Sequence, residues 1–526
     1  MAVEAYLADR DALIARERSL RPDAPLQTTA TPLERRASNL LSILRSRCPT
    51  LDPDFIRAKS TIASTELFKI FQSCPKGALL HGHLDAMAST DFLLSAALEH
   101  QSLLWVKADR QVTTDDIADR HADQPVQVVF EWRPRQAEVP EYQGFALTDD
   151  GYEGAWVPVK HARDHFLGGP SAFDAFILVC LSLPSQPLPS SKHTWWHFIA
   201  YFALSNSLLD FKPVFSAYIA EILRIARSDK IAWLELRMNF FTSSAQGNLG
   251  SVMLDEQGGL VGHDEQLSII GKTVQHAKEM DPGFWGLKII YSTVRFVKGT
   301  SNPSLRGFES ASHIRDYMTE CLALKQRHPD LITGFDLVGQ EDTGISLVSY
   351  LEDLLWFQHR QKELGVEVPL VLHAGETAHE GSPADQNLFD AIMLGTKRIG
   401  HGFSLVHHPE VMRLCRERRI VVESCPISNQ LLGYTASQRA HPLPILLANG
   451  VPTCLSSDDP AVFQNHGLSF DLFQFYFNTS SFDLISVKGL LKASLEASMI
   501  KDKEARVRDW EQAWHRWIQE VVEQLD

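Results

Sequence analysis

Eight short apolar runs, most of them separated by segments of helical period, constrain this chain more than any other feature. They are Gly77-Ala-Leu-Leu80, Ile231-Ala-Trp-Leu-Glu-Leu236, Gly286-Leu-Lys-Ile-Ile-Tyr291, Ile332-Thr-Gly-Phe-Asp-Leu-Val338, Pro369-Leu-Val-Leu372, Arg398-Ile-Gly400, Ile420-Val-Val-Glu-Ser424 and Pro452-Thr-Cys-Leu455. Each is followed by polar, glycine or proline residues, as a strand leading into a loop requires. Eight strands alternating with helices predict an α/β chain folded as a TIM (β/α)8 barrel, which keeps its active site at the C-terminal ends of the strands. One interval is oversized: about 145 residues separate the first two runs, far more than a crossover helix needs, so a large insertion after strand 1 is expected at about 101–190. Its first part reads as a small, partly β module around Val126-Gln-Val-Val-Phe-Glu-Trp132, and Trp195 to Arg227 beyond it reads as long and helical. Residues 1–75 carry helical spacing, as in Leu33 to Arg45, broken at Pro49 and Pro53, and are expected to form an N-terminal helical extension to a hydrolase barrel over 76–526.

Composition narrows the function class. A formal net charge of −15 repels phosphate backbones and anionic lipid, which argues against nucleic-acid and membrane partners. The densest basic run, Arg413 to Arg419, precedes Ile420-Val-Val and reads as the exposed end of a helix feeding a strand. The first ten residues are acidic where a signal peptide is basic, and no apolar stretch is long enough to span a bilayer. Seven scattered cysteines without a CxxC pair argue for a reducing compartment and against a thiolate zinc site. A cytoplasmic enzyme is the expectation.

Metal-competent side chains fall where the barrel would keep its site. His81 and His83 follow strand 1 and share a face, because residues i and i+2 of a strand point the same way. His373 follows strand 5, His401 strand 6, and Asp458-Asp459 strand 8. Any one of them could be a buried structural histidine or a helix cap; together at one rim they predict a metal site. Imidazoles with a carboxylate suit Zn²⁺ with a position left for water, and the absence of a lysine after strand 4 favours a single ion. Glu376, three residues past His373 across a glycine turn, projects into the mouth and suits proton transfer. Gly339, after Phe335-Asp-Leu-Val338, offers a backbone N–H to a flat heterocycle's ring nitrogen.

At these residues the chain resembles the adenosine deaminases: His81-x-His83-x-Asp85, Asp336-Leu-Val-Gly339, His373-Ala-Gly-Glu376, Arg398-Ile-Gly-His401-Gly and Ser456-Ser-Asp458-Asp459-Pro. Pro75-Lys-Gly, Gly334 to Gly344, Glu423-Ser-Cys-Pro-Ile-Ser-Asn-Gln430 and Ser456 to Phe463 are similar to the extracellular branch, the adenosine-deaminase-related growth factors. The resemblance covers roughly residues 60–520. It implies one Zn²⁺ per subunit on His81, His83, His373 and Asp458. It also implies that Glu376 protonates the purine N1, that His401 orients and deprotonates the attacking water, and that Asp459 contacts N7 and helps position the hydroxide. Gly339 would donate to N3, Asp85 would hold the ribose 5′-hydroxyl, and Trp195 aligns with a tryptophan near the branch's substrate pocket. The branch also has a large insertion after strand 1, and its N-terminal helices dimerise, which implies a homodimer here. Branch members are typically secreted, with a disulfide in the insertion; residues 101–170 of this chain hold no cysteine.

The expected reaction is hydrolytic deamination of adenosine and 2′-deoxyadenosine to inosine and 2′-deoxyinosine. The alternatives are another adenine-type compound such as AMP or a modified adenosine, or a non-catalytic growth-factor-like binding protein. Asp85 favours the nucleoside, since a carboxylate about 4 Å from a phosphate charge repels it by about 4 kcal/mol at an effective dielectric of about 20.

Overall fold

The computed structural model describes residues 2–118, 126–134, 142–183, 191–240, 252–295 and 314–526. β1 (Gly77–Leu79) is followed by the insertion strands β2 (Leu104–Ala108), β3 (Val128–Trp132) and β4 (Val157–Pro158). Then come β5 (Ile231–Asn239), β6 (Gly286–Val294), β7 (Ile332–Val338), β8 (Leu372–Ala374), β9 (Arg398–His401), β10 (Val421–Ser424) and β11 (Thr453–Leu455). All eight predicted runs are strands. They pair in parallel as two arcs, β1-β5-β6-β7 and β8-β9-β10-β11. Single bridges join the arcs at both seams. Phe335 N donates to Pro369 O at 3.0 Å and Val371 N to Phe335 O at 3.0 Å. Asp458 N donates to His81 O at 3.1 Å and His83 N to Asp458 O at 3.2 Å. The ring is an α/β barrel of eight parallel strands, and its second seam runs through the predicted metal residues.

The strands are apolar on both sides, as a parallel sheet wrapped by helices demands. β2 and β3 instead alternate buried and half-buried residues in an antiparallel sheet of order β3-β2-β4. The helix Ser191–Leu209 packs on β3: Phe130 N donates to Ser207 Oγ at 3.0 Å and Trp132 Nε1 to Ser207 O at 3.1 Å. The end expected for the insertion, at 190, lies outside the described residues. The segment Trp195–Arg227, expected to be long and helical, forms two helices, Ser191–Leu209 and Lys212–Ser228, separated at extended Phe211. Pro213 has no N–H to give and fits only a first helical turn, so a new helix must begin beside it. The basic run ends the helix Pro409–Arg418, with Arg413 paired to Glu410 and Glu417. Among the described residues no helix is long and apolar enough to cross a membrane.

The N-terminal residues form five helices, Ala2–Ser19, Ala24–Thr29, Pro32–Arg47, Phe55–Ser64 and Glu66–Ser73. Pro32–Arg47 opens with a capping box, Thr31 Oγ1 accepting from Glu34 N and Glu34 accepting from Thr31 N. The same buried carboxylate accepts from Trp514 Nε1 at 3.0 Å and pairs with Lys488 Nζ at 2.5 Å, tying the helix to Leu484–Ala497 and Lys503–Leu525. Burial raises the Glu34 carboxyl, but the hydrogen bonds from Lys488, Thr31 and Trp514 outweigh it and hold it below its ordinary 4.5. A depressed carboxyl contributes stability that is fully present above the unfolded value and is lost as pH falls through the folded one. Thermal melts of wild type and Glu34→Gln should therefore differ clearly near pH 6 and converge only as pH falls below 4.5 through the depressed folded-state value. A gap that persists unchanged in acid contradicts this role for the ionised group.

Candidate metal and active site

The predicted residues converge. His81, His83 and His373 present ring nitrogens within 4.8 Å of one another, and His83, Asp458 and Asp459 form a second such group. Asp458 Oδ1 stands 3.2 Å from His81 Nε2 and 3.4 Å from His83 Nε2. All five side chains are buried. Neither His81 Nε2 nor Asp458 Oδ1 completes a hydrogen bond, although each is shielded from water. Buried polar atoms rarely go unpaired, so two of them aimed at one point mark a place for a ligand. A set of imidazole nitrogens and a carboxylate oxygen fits a borderline divalent cation. His401 and Cys425 also come within 4.8 Å of His81 and Asp458. The Cys425 Sγ leans on Glu423 O, and burial pushes its thiol well above its ordinary range, away from the thiolate a metal would need.

Behind the imidazoles lies a continuous charged network. His81 Nδ1 meets Glu423 Oε2 at 2.8 Å, and His373 Nδ1 meets Asp336 Oδ2 at 2.6 Å. Arg237 joins the two carboxylates, donating from Nε to Asp336 at 2.8 Å and from Nη2 to Glu423 at 2.7 Å, while Nη1 donates to Leu80 O at 3.1 Å. Arg398 binds Glu423 from the other side and pairs with Glu235 at 2.8 Å. Every one of these groups is at most 2% exposed. Burial alone would raise both carboxyls, but Arg237 and the paired imidazoles hold Glu423 and Asp336 well below the carboxylate range. The anions accept from Nδ1–H, which fixes the tautomer and leaves each Nε2 lone pair for a metal. Burial also drives the His373 imidazole down to about 3, so it is neutral. Gly400 completes the packing: a Cβ there would stand 2.9 Å from the His81 ring.

Glu376 is set by the turn Ala374-Gly375-Glu376. Gly375 has φ +75°, and a side chain on it would meet Leu388 at 2.8 Å. Buried Glu341 accepts from Gly375 N at 3.2 Å, Glu376 N at 3.1 Å and Asn387 Nδ2 at 2.6 Å, clamping the turn. Glu376 Oε1 has no hydrogen bond and lies 3.3 Å from His401 Nδ1. Burial, reinforced by the charges of Asp458 and Glu341, raises the Glu376 carboxyl well above its ordinary value. Burial lowers His401 well below its ordinary value. Burial thus favours the neutral form of both the carboxyl and the imidazole. His401 and Asp458 both adopt left-handed backbone, φ +61° and +59°, a strain of about 1–3 kcal/mol each. Asp458 is kept there by the seam hydrogen bonds described above.

A family model for adenosine deaminase matches residues 186–509. Adenosine deaminase 2 of Sus scrofa is 31% identical over 476 residues, 89% of this chain and 84% of that protein. An adenosine deaminase of Phlebotomus duboscqi is 32% identical over 476 residues, 89% of this chain and 81% of that protein. The solved structure of an adenine deaminase from Arthrobacter aurescens shares the fold, with a TM-score of 0.53 at 18% identity, covering 85% of this chain and 100% of that one. The chain belongs to the adenosine deaminase family.

Membership makes it a hydrolytic deaminase, and the resemblance drawn from its motifs is borne out at the level of the family. Gly339 ends β7 with φ +100°. Asp85, in a turn of 3-10 helix, accepts from Asn206 Nδ2 at 2.8 Å through its carboxylate and from Tyr201 Oη at 3.1 Å through its carbonyl. Trp195 is buried on the same helix as Tyr201 and Asn206, and its Nε1 has no hydrogen bond. Sequence reading had assigned no role to Asp336, Glu423, Arg237, Glu341 or Asn206. The available signal was a charged residue inside each of three apolar runs, Arg237 at the edge of Leu234-Glu-Leu, Asp336 in Gly-Phe-Asp-Leu-Val and Glu423 in Val-Val-Glu-Ser. A charge rarely sits in such a run without a buried partner.

Asp336→Asn preserves shape while weakening the hold on His373. Metal affinity, measured by competition with a chelator, should fall about 10–100-fold with the circular dichroism unchanged. Wild-type affinity would contradict the supporting role given to this carboxylate.

Proposed function

We propose that this family member hydrolyses adenosine and 2′-deoxyadenosine to inosine and 2′-deoxyinosine, releasing ammonia, with one zinc ion per subunit. The observation that carries this reading is the buried Glu376 Oε1, without a hydrogen bond and 3.3 Å from His401 Nδ1, at the edge of the His/Asp cluster. His81, His83, His373 and Asp458 would hold the ion, which when bound lowers the pKa of a water molecule toward neutrality. His401, kept neutral by burial, accepts the proton of the attacking water. Glu376 gives its proton to N1, so that ring electrons have somewhere to go as C6 becomes tetrahedral. The proton taken from water leaves with the amino group as ammonia. Gly339 donates to N3, and Trp195 covers the base from the insertion side. Burial and the adjacent Asp458 charge raise the Asp459 carboxyl, which favours the protonated form that would donate to N7.

Asp85 marks the sugar end, and the nucleoside suits it better than a nucleotide. An anionic carboxylate repels phosphate, and a neutral one offers it a single donor. Buried free thiols at Cys74, Cys321, Cys415, Cys425 and Cys454 support action in a reducing compartment such as the cytoplasm. A homodimer through the N-terminal helices is supported by Ala2–Ser19, which leaves Val3, Tyr6, Leu7 and Leu13 exposed by 71%, 69%, 48% and 59%. Helices in proteins draw most of their stability from packing an apolar face, so this one gains from a partner.

Glu376→Gln should retain zinc yet lose about 10²–10⁴-fold in kcat, followed by the change in ultraviolet absorbance as adenosine becomes inosine. Wild-type turnover in that variant would overturn the assignment. Light scattering should give the mass of two chains for the whole protein and of one after deletion of residues 2–19; an unchanged mass rejects this dimer.

A further inference from the structure

A separate small cavity of about 50 Å³ opens on the far side of Asp85, lined by Asp85, Asn206, Asp210, Asn239, His263 and Gln266 among others. Asn206 ties it to the site, donating to Asp85 Oδ2 at 2.8 Å. Asp210 sits one helical turn on, its N–H donating to Asn206 O at 3.0 Å, so both side chains face the same space. Asp210 is half-buried, and its carboxylate has neither hydrogen bond nor ion pair among the described residues; burial alone pushes it up to about 7. Asn239 Oδ1 is likewise buried without a hydrogen bond. No lysine or arginine lines the cavity among the described residues, and His263 already holds Glu320 at 2.7 Å. The Asp210 carboxylate and Asn239 Oδ1, acceptors without a protein donor among the described residues, thus line the cavity beside the position proposed for the ribose 5′ carbon.

We propose that this cavity is a 5′ subsite, with Asp210 as its specificity-determining residue, that accepts a hydrogen-bond-donating 5′ substituent, an amine above all, and rejects a phosphate. The inference rests on the reading of Asp85 at the sugar end. Two carboxyls and an amide oxygen can each take a hydrogen from an ammonium, whereas a phosphate brings only further acceptors and charge of the same sign. The deamination itself is unchanged; only the group beyond the ribose differs.

The test compares adenosine, 5′-amino-5′-deoxyadenosine, 5′-deoxyadenosine and AMP on the wild-type holoenzyme, by kcat/KM and by equilibrium binding. The amine should exceed 5′-deoxyadenosine by about tenfold or more, with AMP below both. Asp210→Asn, with Asp210→Ser as a second variant, should reduce that advantage several-fold. An amine no better than 5′-deoxyadenosine, AMP equal to adenosine, or an advantage that survives both variants overturns the proposal. Failure to deaminate adenosine would instead overturn the function proposed above, and the binding order would still decide the subsite.

Discussion

The Arg237 guanidinium is the interaction on which the rest of the site depends. It is buried, joins Asp336 to Glu423, and through them orients His373 and His81. Neither carboxylate could stay ionised there alone, because removing a charge from water costs several kcal/mol unless it is paired and hydrogen-bonded. Arg237 offsets that cost for both anions at once, and Arg398 adds a second cation on Glu423. The ionised carboxylates then select the tautomer that directs Nε2 inward. Arg237 also belongs to the scaffold, its N–H donating to Gly82 O at 2.9 Å between the first two histidines. One residue thus couples strand pairing to the direction of two ligands.

Barrel closure and site assembly are the same event. The seam between β1 and the end of β11 is built from the backbones of His81, His83 and Asp458, so the ligands meet only where the ring shuts. Asp458 adopts a left-handed conformation to turn its carboxylate back toward the histidines. Such strain persists when the surroundings over-determine the backbone, as the two seam hydrogen bonds do here. Glu376 is placed by different means, a glycine turn held by Glu341. Glu376 and the candidate metal residues are therefore supported by separate carboxylates, Glu341 on one side and Asp336 and Glu423 on the other.

Much of this arrangement was legible in the sequence. The eight strands could be read because parallel strands buried on both faces leave continuous apolar runs, and the strand-end histidines and aspartates follow from the period-two geometry of strands. The supporting network was not legible, because Arg237 to Asp336 and His81 to Glu423 are pairings across 99 and 342 residues. Only the fold says which buried charge meets which. The helix break at Phe211 escaped for a local reason, since the apolar spacing continues through it and only Pro213 marks the interruption. Asp210 and Asn206 were hidden in the same way: on a helix they read as ordinary polar positions, and only packing against Asp85 gives them meaning.

The most direct test of the central claim is anomalous X-ray diffraction at the zinc edge on crystals of the purified protein. The account predicts one zinc per chain at about 2.0–2.2 Å from Nε2 of His81, His83 and His373 and from the Asp458 carboxylate. It further predicts that Glu423 and Asp336 remain on the two Nδ1 atoms. A second ion, or an ion held by Cys425 or His401 in place of His83 or His373, would contradict it.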